Sequence, residues 1–117
     1  MNPCVSLADV DAIERSAEHG GSGTITFRRL LDASCFEAPV DFVDFTIIPP
    51  GSSIGRHTHH CNEELYFVAS GNPLMRVSGT QQRISRGTVT VVHNGGWHEL
   101  INDTSENVEI LVIQVRL

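Results

Sequence analysis

Residues 51–71 read GSSIGRHTHHCNEELYFVASG and carry candidate metal ligands between two glycines that favour turns. His57 and His59 are two residues apart, so on a β-strand both imidazoles point to the same face of the sheet. The polar stretch after them is long enough to reverse the chain and bring back a carboxylate, that of Glu63 or Glu64. The stretch therefore predicts a chelating site built on β-structure.

A second histidine segment begins at Gly87, reads GTVTVVHNGGWHEL and offers His98 as a fourth ligand. Imidazoles and one carboxylate form a nitrogen and oxygen donor set that suits Fe(II), Mn(II), Ni(II), Co(II) or Zn(II). Four ligands leave positions open on an octahedral ion for substrate, water or dioxygen. We therefore expect one divalent transition metal as the cofactor.

Length and composition are those of one ordinary globular domain. The chain has 117 residues, of which 40% are hydrophobic and 19% charged. No apolar run approaches the roughly 20 residues of a membrane helix, and the acidic start lacks the features of a signal peptide. We expect a cytoplasmic protein with no membrane partner.

The charged residues exclude several classes of function. All eight basic residues are arginines, so Schiff-base chemistry and a Walker-type phosphate loop, which need lysine, are excluded. A net charge of −6 without a basic stripe argues against nucleic acid as a partner. A small-molecule substrate is the remaining expectation.

The chain divides into an N-terminal arm, residues 1–23, and a domain, residues 24–117. In the arm, Ser6 or Asp9 is a suitable cap for a short polar helix through about Glu18, where two glycines stop it. We expect this arm to be peripheral. From residue 24 onward, about eight short β-branched or aromatic runs alternate with turn signals, which predicts an all-β sandwich or barrel.

Together the two histidine segments resemble the two conserved motifs of the cupin superfamily. Every fixed position of the first motif is matched, by Gly51, His57, His59, Glu64 and Gly71. The second motif is matched by Gly87, Gly95, His98 and Asn102, with His93 where cupins usually have proline. The chain resembles a small single-domain cupin, a monocupin.

The resemblance implies a cupin-type jelly-roll β-barrel with a short N-terminal arm or helix. It implies one metal ion held by His57, His59, Glu64 and His98. Glu64 is preferred over Glu63 because it stands six residues before Gly71 and begins a strand alternation. The resemblance also implies a homodimer.

Other residues are candidates for the walls of the cavity. Phe42, Tyr66, Arg76 and Trp97 are candidate substrate-binding residues, although such aromatic residues are often simple core. An inward Arg76 would bind a substrate carboxylate through two parallel hydrogen bonds, whereas an outward Arg76 would be an ordinary surface arginine. The candidate general bases are Tyr66, His93, Glu99 and a metal-bound hydroxide, and none of them has a decisive claim.

Cupin-like motifs imply a site but do not select a reaction. Our leading hypothesis is a metal-dependent enzyme that acts on a small organic metabolite by a non-haem dioxygenase or oxidase-type reaction. One alternative is a redox-neutral isomerase, epimerase, decarboxylase or lyase that uses the metal as a Lewis acid. The other is a non-catalytic small-ligand-binding cupin, which the intact ligand set disfavours because converging buried polar groups are costly.

Overall fold

Ten β-strands form two antiparallel sheets in the computed structural model, which describes residues 3–117. The strands are β1 (Ile13–Ser16), β2 (Thr24–Asp32), β3 (Val40–Ile48), β4 (Ser53–Thr58), β5 (Asn62–Ser70), β6 (Leu74–Val77), β7 (Thr80–Arg83), β8 (Val89–Val92), β9 (Trp97–Ile101) and β10 (Val108–Arg116). One sheet has the order β1-β2-β3-β10-β5-β8, and the other has the order β4-β9-β6-β7. The predicted all-β jelly-roll barrel is confirmed.

Strand β5 shows how the sequence pattern decides which side chains enter the barrel. Its burial alternates, with Glu64, Tyr66 and Val68 buried and Phe67 exposed between them. Successive side chains of a strand point to opposite faces, so the same alternation that predicts the strand directs Glu64 inward. On this inward face, the polar side chain of Glu64 and the apolar side chain of Val68 are only four residues apart.

The hydrophobic core lies between the two sheets. Ile48, Val68 and Ile110 from the six-stranded sheet meet Leu100 from the other, and all four are 0% exposed. Full burial of such a side chain contributes about 1.5–3 kcal/mol. The core therefore offsets the cost of burying polar groups at the other end of the barrel.

The predicted N-terminal helix, from Ser6 or Asp9 through about Glu18, is wrong. This segment forms a 3-10 turn at Leu7–Asp9, strand β1, and a second 3-10 turn at Glu18–Gly20. Strand β1 extends the six-stranded sheet by pairing with β2, which satisfies backbone groups that a helix would have paired locally. A third 3-10 turn lies at Ala33–Cys35, so no helix in residues 3–117 has the length and hydrophobicity to cross a membrane.

The N-terminal segment stays at the surface and is docked on strand β4 by a close approach of two glycines. A Cβ on Gly55 would collide with the carbonyl oxygen of His19, and one on Gly21 would collide with that of Ser53. The Ser53 N–H donates to the Ser22 carbonyl at 2.9 Å, and the Ser22 N–H donates to Ser53 Oγ at 2.8 Å. Nothing in the sequence near the N-terminus predicts this contact with β4.

Candidate metal centre

Four side chains, called the metal cluster below, converge between the two sheets: His57, His59, Glu64 and His98. One ligand atom from each lies within 4.8 Å of the others. His57 on β4 is the register partner of His98 on β9, and Glu64 approaches them from β5 in the other sheet. His59 follows the end of β4, where its backbone N–H donates to the Gly96 carbonyl at 2.9 Å. The structure thus brings all four predicted ligands together.

The hydrogen bonds of two rings direct their lone pairs into the metal cluster. Nδ1 of His57 lies 2.7 Å from the Gly55 carbonyl oxygen, and Nδ1 of His59 lies 2.6 Å from Oδ1 of Asn62. Both oxygens are acceptors, so each Nδ1 carries the ring hydrogen when the ring is neutral. The Nε2 atom of each ring is then left with a lone pair, which is the arrangement of a metal ligand.

The contacts around His98 test whether the site fits a metal ion. Its Nε2 atom lies 3.0 Å from Nε2 of His57, 3.0 Å from Nε2 of His59 and 3.2 Å from Oε1 of Glu64. A neutral ring has one N–H, so at most one of these three contacts can be a hydrogen bond donated by His98. A divalent cation among the four atoms would satisfy all of them, and the donor set fits any of the five metals considered.

The protonation states of three of the four residues, His57, Glu64 and His98, also suit metal binding. Burial lowers the pKa of His57 to about 4 and lowers the pKa of His98 as well. Burial by itself raises the pKa of Glu64, but hydrogen bonds with His59 and His98 outweigh it and lower this pKa to about 2. The hydrogen bond to Glu64 raises the pKa of His59. At neutral pH the carboxylate is ionised and His57 and His98 are neutral, as metal ligands must be.

Neither Glu63 nor His93 belongs to the metal cluster. The two side chains pair with each other at the surface, where 38% of the Glu63 side chain and 72% of the His93 side chain are exposed. Strand alternation explains this, because Glu63 precedes the inward Glu64 on β5. The structure therefore places Glu64 beside the histidines, and it places His93 at the surface beside Glu63.

Tyr66 and Phe42 line an open cavity of about 170 Å³, and Glu64 of the metal cluster lines it too. The Tyr66 hydroxyl lies 3.3 Å from Nε2 of His98. Burial, together with the charge of Glu64, raises the pKa of Tyr66 well above its usual value of 10. The hydroxyl therefore stays protonated at neutral pH, which suits a hydrogen-bond donor better than a general base.

The structure does not bring Arg76 or Trp97 to this cavity. Arg76 donates to Glu99 at 2.9 Å and to Gln81 at 2.8 Å, and these partners lie on the neighbouring strands β9 and β7. Trp97 is adjacent to an inward histidine and so points outward, where the Arg56 guanidinium lies 3.8 Å from its ring centroid. Both side chains are occupied on the outer face of the four-stranded sheet.

Sequence reasoning missed one side of the cavity, called the N-terminal wall below and formed by Arg15, Glu18 and His19. The His19 ring stacks on the His57 ring, with 3.7 Å between centroids and 11° between planes. His19 and Ala17 have φ values of 50° and 52°, in the left-handed region that disfavours residues other than glycine. No motif marks these residues, and the only sequence signal is an isolated histidine before two glycines.

Comparison with known sequences identifies the family of the chain. The family model described as the cupin domain matches residues 44–114. The oxalate-binding protein of Thermotoga maritima is 26% identical over 98 residues, which are 84% of this chain and 81% of that protein. The tetracenomycin polyketide synthase protein TcmJ of Streptomyces glaucescens is 27% identical over 93 residues, 80% of this chain and 60% of that protein.

Solved structures show the same fold. A predicted oxalate decarboxylase from Thermotoga maritima superposes with a TM-score of 0.94 at 24% identity, over 97% of this chain and 99% of the other. The polyketide cyclase RemF from Streptomyces resistomycificus superposes with a TM-score of 0.80 at 22% identity, over 98% of this chain and 80% of the other. Because the family model covers more than half of the chain, this protein belongs to the cupin family.

Proposed function

We propose that this cupin binds one divalent transition metal ion through the metal cluster and acts as an enzyme on a small organic metabolite beside it. The convergence of two directed imidazole lone pairs and the Glu64 carboxylate on Nε2 of His98 carries this proposal. Such a buried polar group costs free energy unless each atom has a partner. A cation is the partner that these four residues fit.

An oxygen-dependent, dioxygenase or oxidase-type reaction is the reaction class that we propose first, and redox-neutral isomerisation, epimerisation, decarboxylation or lyase chemistry is the alternative. When bound, the ion would supply Lewis-acid polarisation or, if redox-active, a binding position for dioxygen. Among the residues of this chain, Tyr66 would donate its hydroxyl hydrogen to an oxygen of the ligand. The ring of Phe42 would exclude water from the opposite part of the cavity.

The size of the cavity supports a small metabolite. Its volume of about 170 Å³ is below the roughly 300–1,000 Å³ of sites for drug-sized ligands. A short organic acid would fit.

A second candidate is a non-catalytic cupin that binds a small acid. The sequence similarity to the oxalate-binding protein of Thermotoga maritima favours this candidate. Binding without turnover would leave the same metal cluster and the same cavity, so the two candidates differ in product formation alone.

The test begins with the metal and continues with turnover. Metal-free protein is titrated with Fe(II) and Mn(II), and the His57→Ala variant is compared with His60→Ala, which removes an exposed imidazole outside the metal cluster. We expect one ion per chain for the wild type and for His60→Ala, and strongly weakened binding for His57→Ala. Equal affinity in both variants would contradict the assigned ligands.

Metal-loaded protein is then incubated with a panel of small organic acids. Oxygen consumption in an electrode would support the oxidative reaction, and product formation without oxygen, followed by NMR, would support the redox-neutral one. Saturable binding of an acid with neither outcome would establish the binding protein and reject the enzyme.

We also propose that two copies of the chain form a homodimer. Phe67, Val89 and Val91 are 37%, 58% and 45% exposed, and the β5–β8 pairing sets them side by side on the outer face of the six-stranded sheet. Pairing of two such faces would remove this apolar surface from water. Light scattering should give twice the mass of 12.8 kDa, and a monomer mass at micromolar concentration would contradict the proposal.

A further inference from the structure

Two arginines of the cavity lie beside the same aromatic ring but differ in their partners. The guanidinium carbons of Arg15 and Arg29 are 5.4 Å and 5.7 Å from the centroid of the Phe27 ring. Arg29 is neutralised, because its Nε and Nη2 donate to the two oxygens of Asp44 at 3.0 Å and 3.1 Å. Across residues 3–117, no carboxylate forms an ion pair with Arg15.

Strand β1 directs the Arg15 side chain toward the cavity. Arg15 is the register partner of Ile25, which is 3% exposed and points into the barrel. Directly opposed residues of an antiparallel pair project to the same face of the sheet. Because the following turn, Glu18–Gly20, is docked on β4, Arg15 is held at the cavity by its strand partners on one side and by this turn on the other.

The charges of the cavity favour an anionic ligand once a metal ion is bound. The charged lining consists of two arginines and three carboxylates, namely Arg15, Arg29, Glu18, Asp44 and Glu64. A divalent ion at Glu64 therefore changes the balance from one excess negative charge to one excess positive charge. Of the two arginines in this lining, Arg15 is the one without an ion pair among residues 3–117.

We propose that Arg15 binds a carboxylate of the metabolite and thereby selects short organic acids. This inference rests on the proposed function, because the ligand would place an oxygen at an open metal position and its carboxylate on Arg15. A guanidinium matches a carboxylate through two parallel hydrogen bonds, which gives geometric selection as well as charge. Oxalate and short 2-oxo or 2-hydroxy acids have the required pair of oxygen groups.

Calorimetric titration of the Mn(II)-loaded protein with oxalate, pyruvate and glycolate tests the inference. Arg15→Gln removes the charge at the cavity, and Arg86→Gln removes the same charge from an exposed turn as a matched control. We expect the affinity for at least one of these acids to fall about ten- to a hundredfold in Arg15→Gln, the range of a charge-assisted hydrogen bond, and to stay unchanged in Arg86→Gln. The acid affinity of Arg15→Lys should lie between those of the two variants, because lysine keeps the charge but cannot form the two parallel hydrogen bonds of a guanidinium.

Three outcomes separate this inference from the proposed function. Equal acid affinity in Arg15→Gln and Arg86→Gln, with Mn(II) affinity intact, would overturn the role of Arg15 alone. A wild-type protein that binds Mn(II) but none of the three acids would also overturn it and would leave the metal site standing. A wild-type protein that fails to bind Mn(II) would defeat the proposed function, and the inference with it.

Discussion

The metal cluster and the N-terminal wall meet at the same cavity but differ in burial and in origin. His59, Glu64 and His98 are 6%, 6% and 1% exposed, whereas all of strand β1, including Arg15, is exposed. Sheet register holds His57, His98 and Glu64 of the metal cluster in place, and a backbone hydrogen bond to Gly96 holds His59 just after the end of β4. The wall comes from a short edge strand and a turn whose position depends on contact with β4.

This difference indicates a division of roles between the two regions. Buried, register-held groups suit a metal ion, which needs ligand atoms fixed within a few tenths of an ångström. Exposed groups at an opening suit recognition of the ligand, because they meet it first and can vary without disturbing the core. Changes in the metal cluster should therefore affect metal affinity, and changes in the wall should chiefly affect the ligand.

The largest expected effect comes from Glu64→Gln. The change keeps the shape of the side chain and removes the negative charge that faces three imidazoles. We expect divalent metal affinity, measured by competition with a chelator, to fall by more than the 10–100-fold typical of residues that only support ligands. Glu63→Gln is the matched control on the same strand, and an equal loss in both variants would contradict the choice of Glu64.

Gly55→Ala should separate the two regions by undocking the wall. Its new Cβ would collide with the His19 carbonyl, and we expect a loss of about 1–3 kcal/mol in the free energy of unfolding. Hydrogen exchange should accelerate in residues 17–23. The control is Gly87→Ala, which meets no atom within 4 Å but has a φ of 90°, so it should cost about 1–2 kcal/mol without this local acceleration. Unchanged exchange in Gly55→Ala would show that the glycine contact does not hold the wall.

The smallest expected effect concerns His19, the one wall residue that touches the metal cluster. Loss of an aromatic stack of about 0.5–1.5 kcal/mol corresponds to a two- to tenfold reduction in metal affinity for His19→Ala. His19→Phe keeps a stacking ring and should restore most of the affinity. A loss of a hundredfold or more in both variants would mean that His19 is itself a ligand, and the distinction between the two regions would fail.

The parts of the site that sequence predicts are those whose geometry is local. Strand alternation predicts a common direction for His57 and His59 and, separately, the inward direction of Glu64 on its own strand, and the motif resemblance adds His98. The same alternation predicts that Arg56 points away from the metal, and in the structure it lies on the outer Trp97 ring. These predictions need no knowledge of distant contacts.

Arg76 and Trp97 show where local reasoning ends. Their strands are predicted, but the face that each side chain occupies depends on strand register, which pairs Arg76 with Glu99 and Thr58 with Trp97. The N-terminal segment shows this limit more clearly, because its short polar run is compatible with a helix when it is considered alone. Pairing with β2 and docking on Gly55 outweigh that weak local preference.

The sequence by itself determined the class of fold and selected the four residues of the metal cluster, with Glu64 in it rather than Glu63. Period-two alternation and fixed spacing carry that information along the chain. Only the tertiary structure decided that Arg15, Glu18 and His19 form a wall of the cavity and that Arg76 does not. The reason is physical: these placements depend on contacts between segments distant in the chain, where steric fit and backbone pairing select one arrangement among several that the local sequence permits.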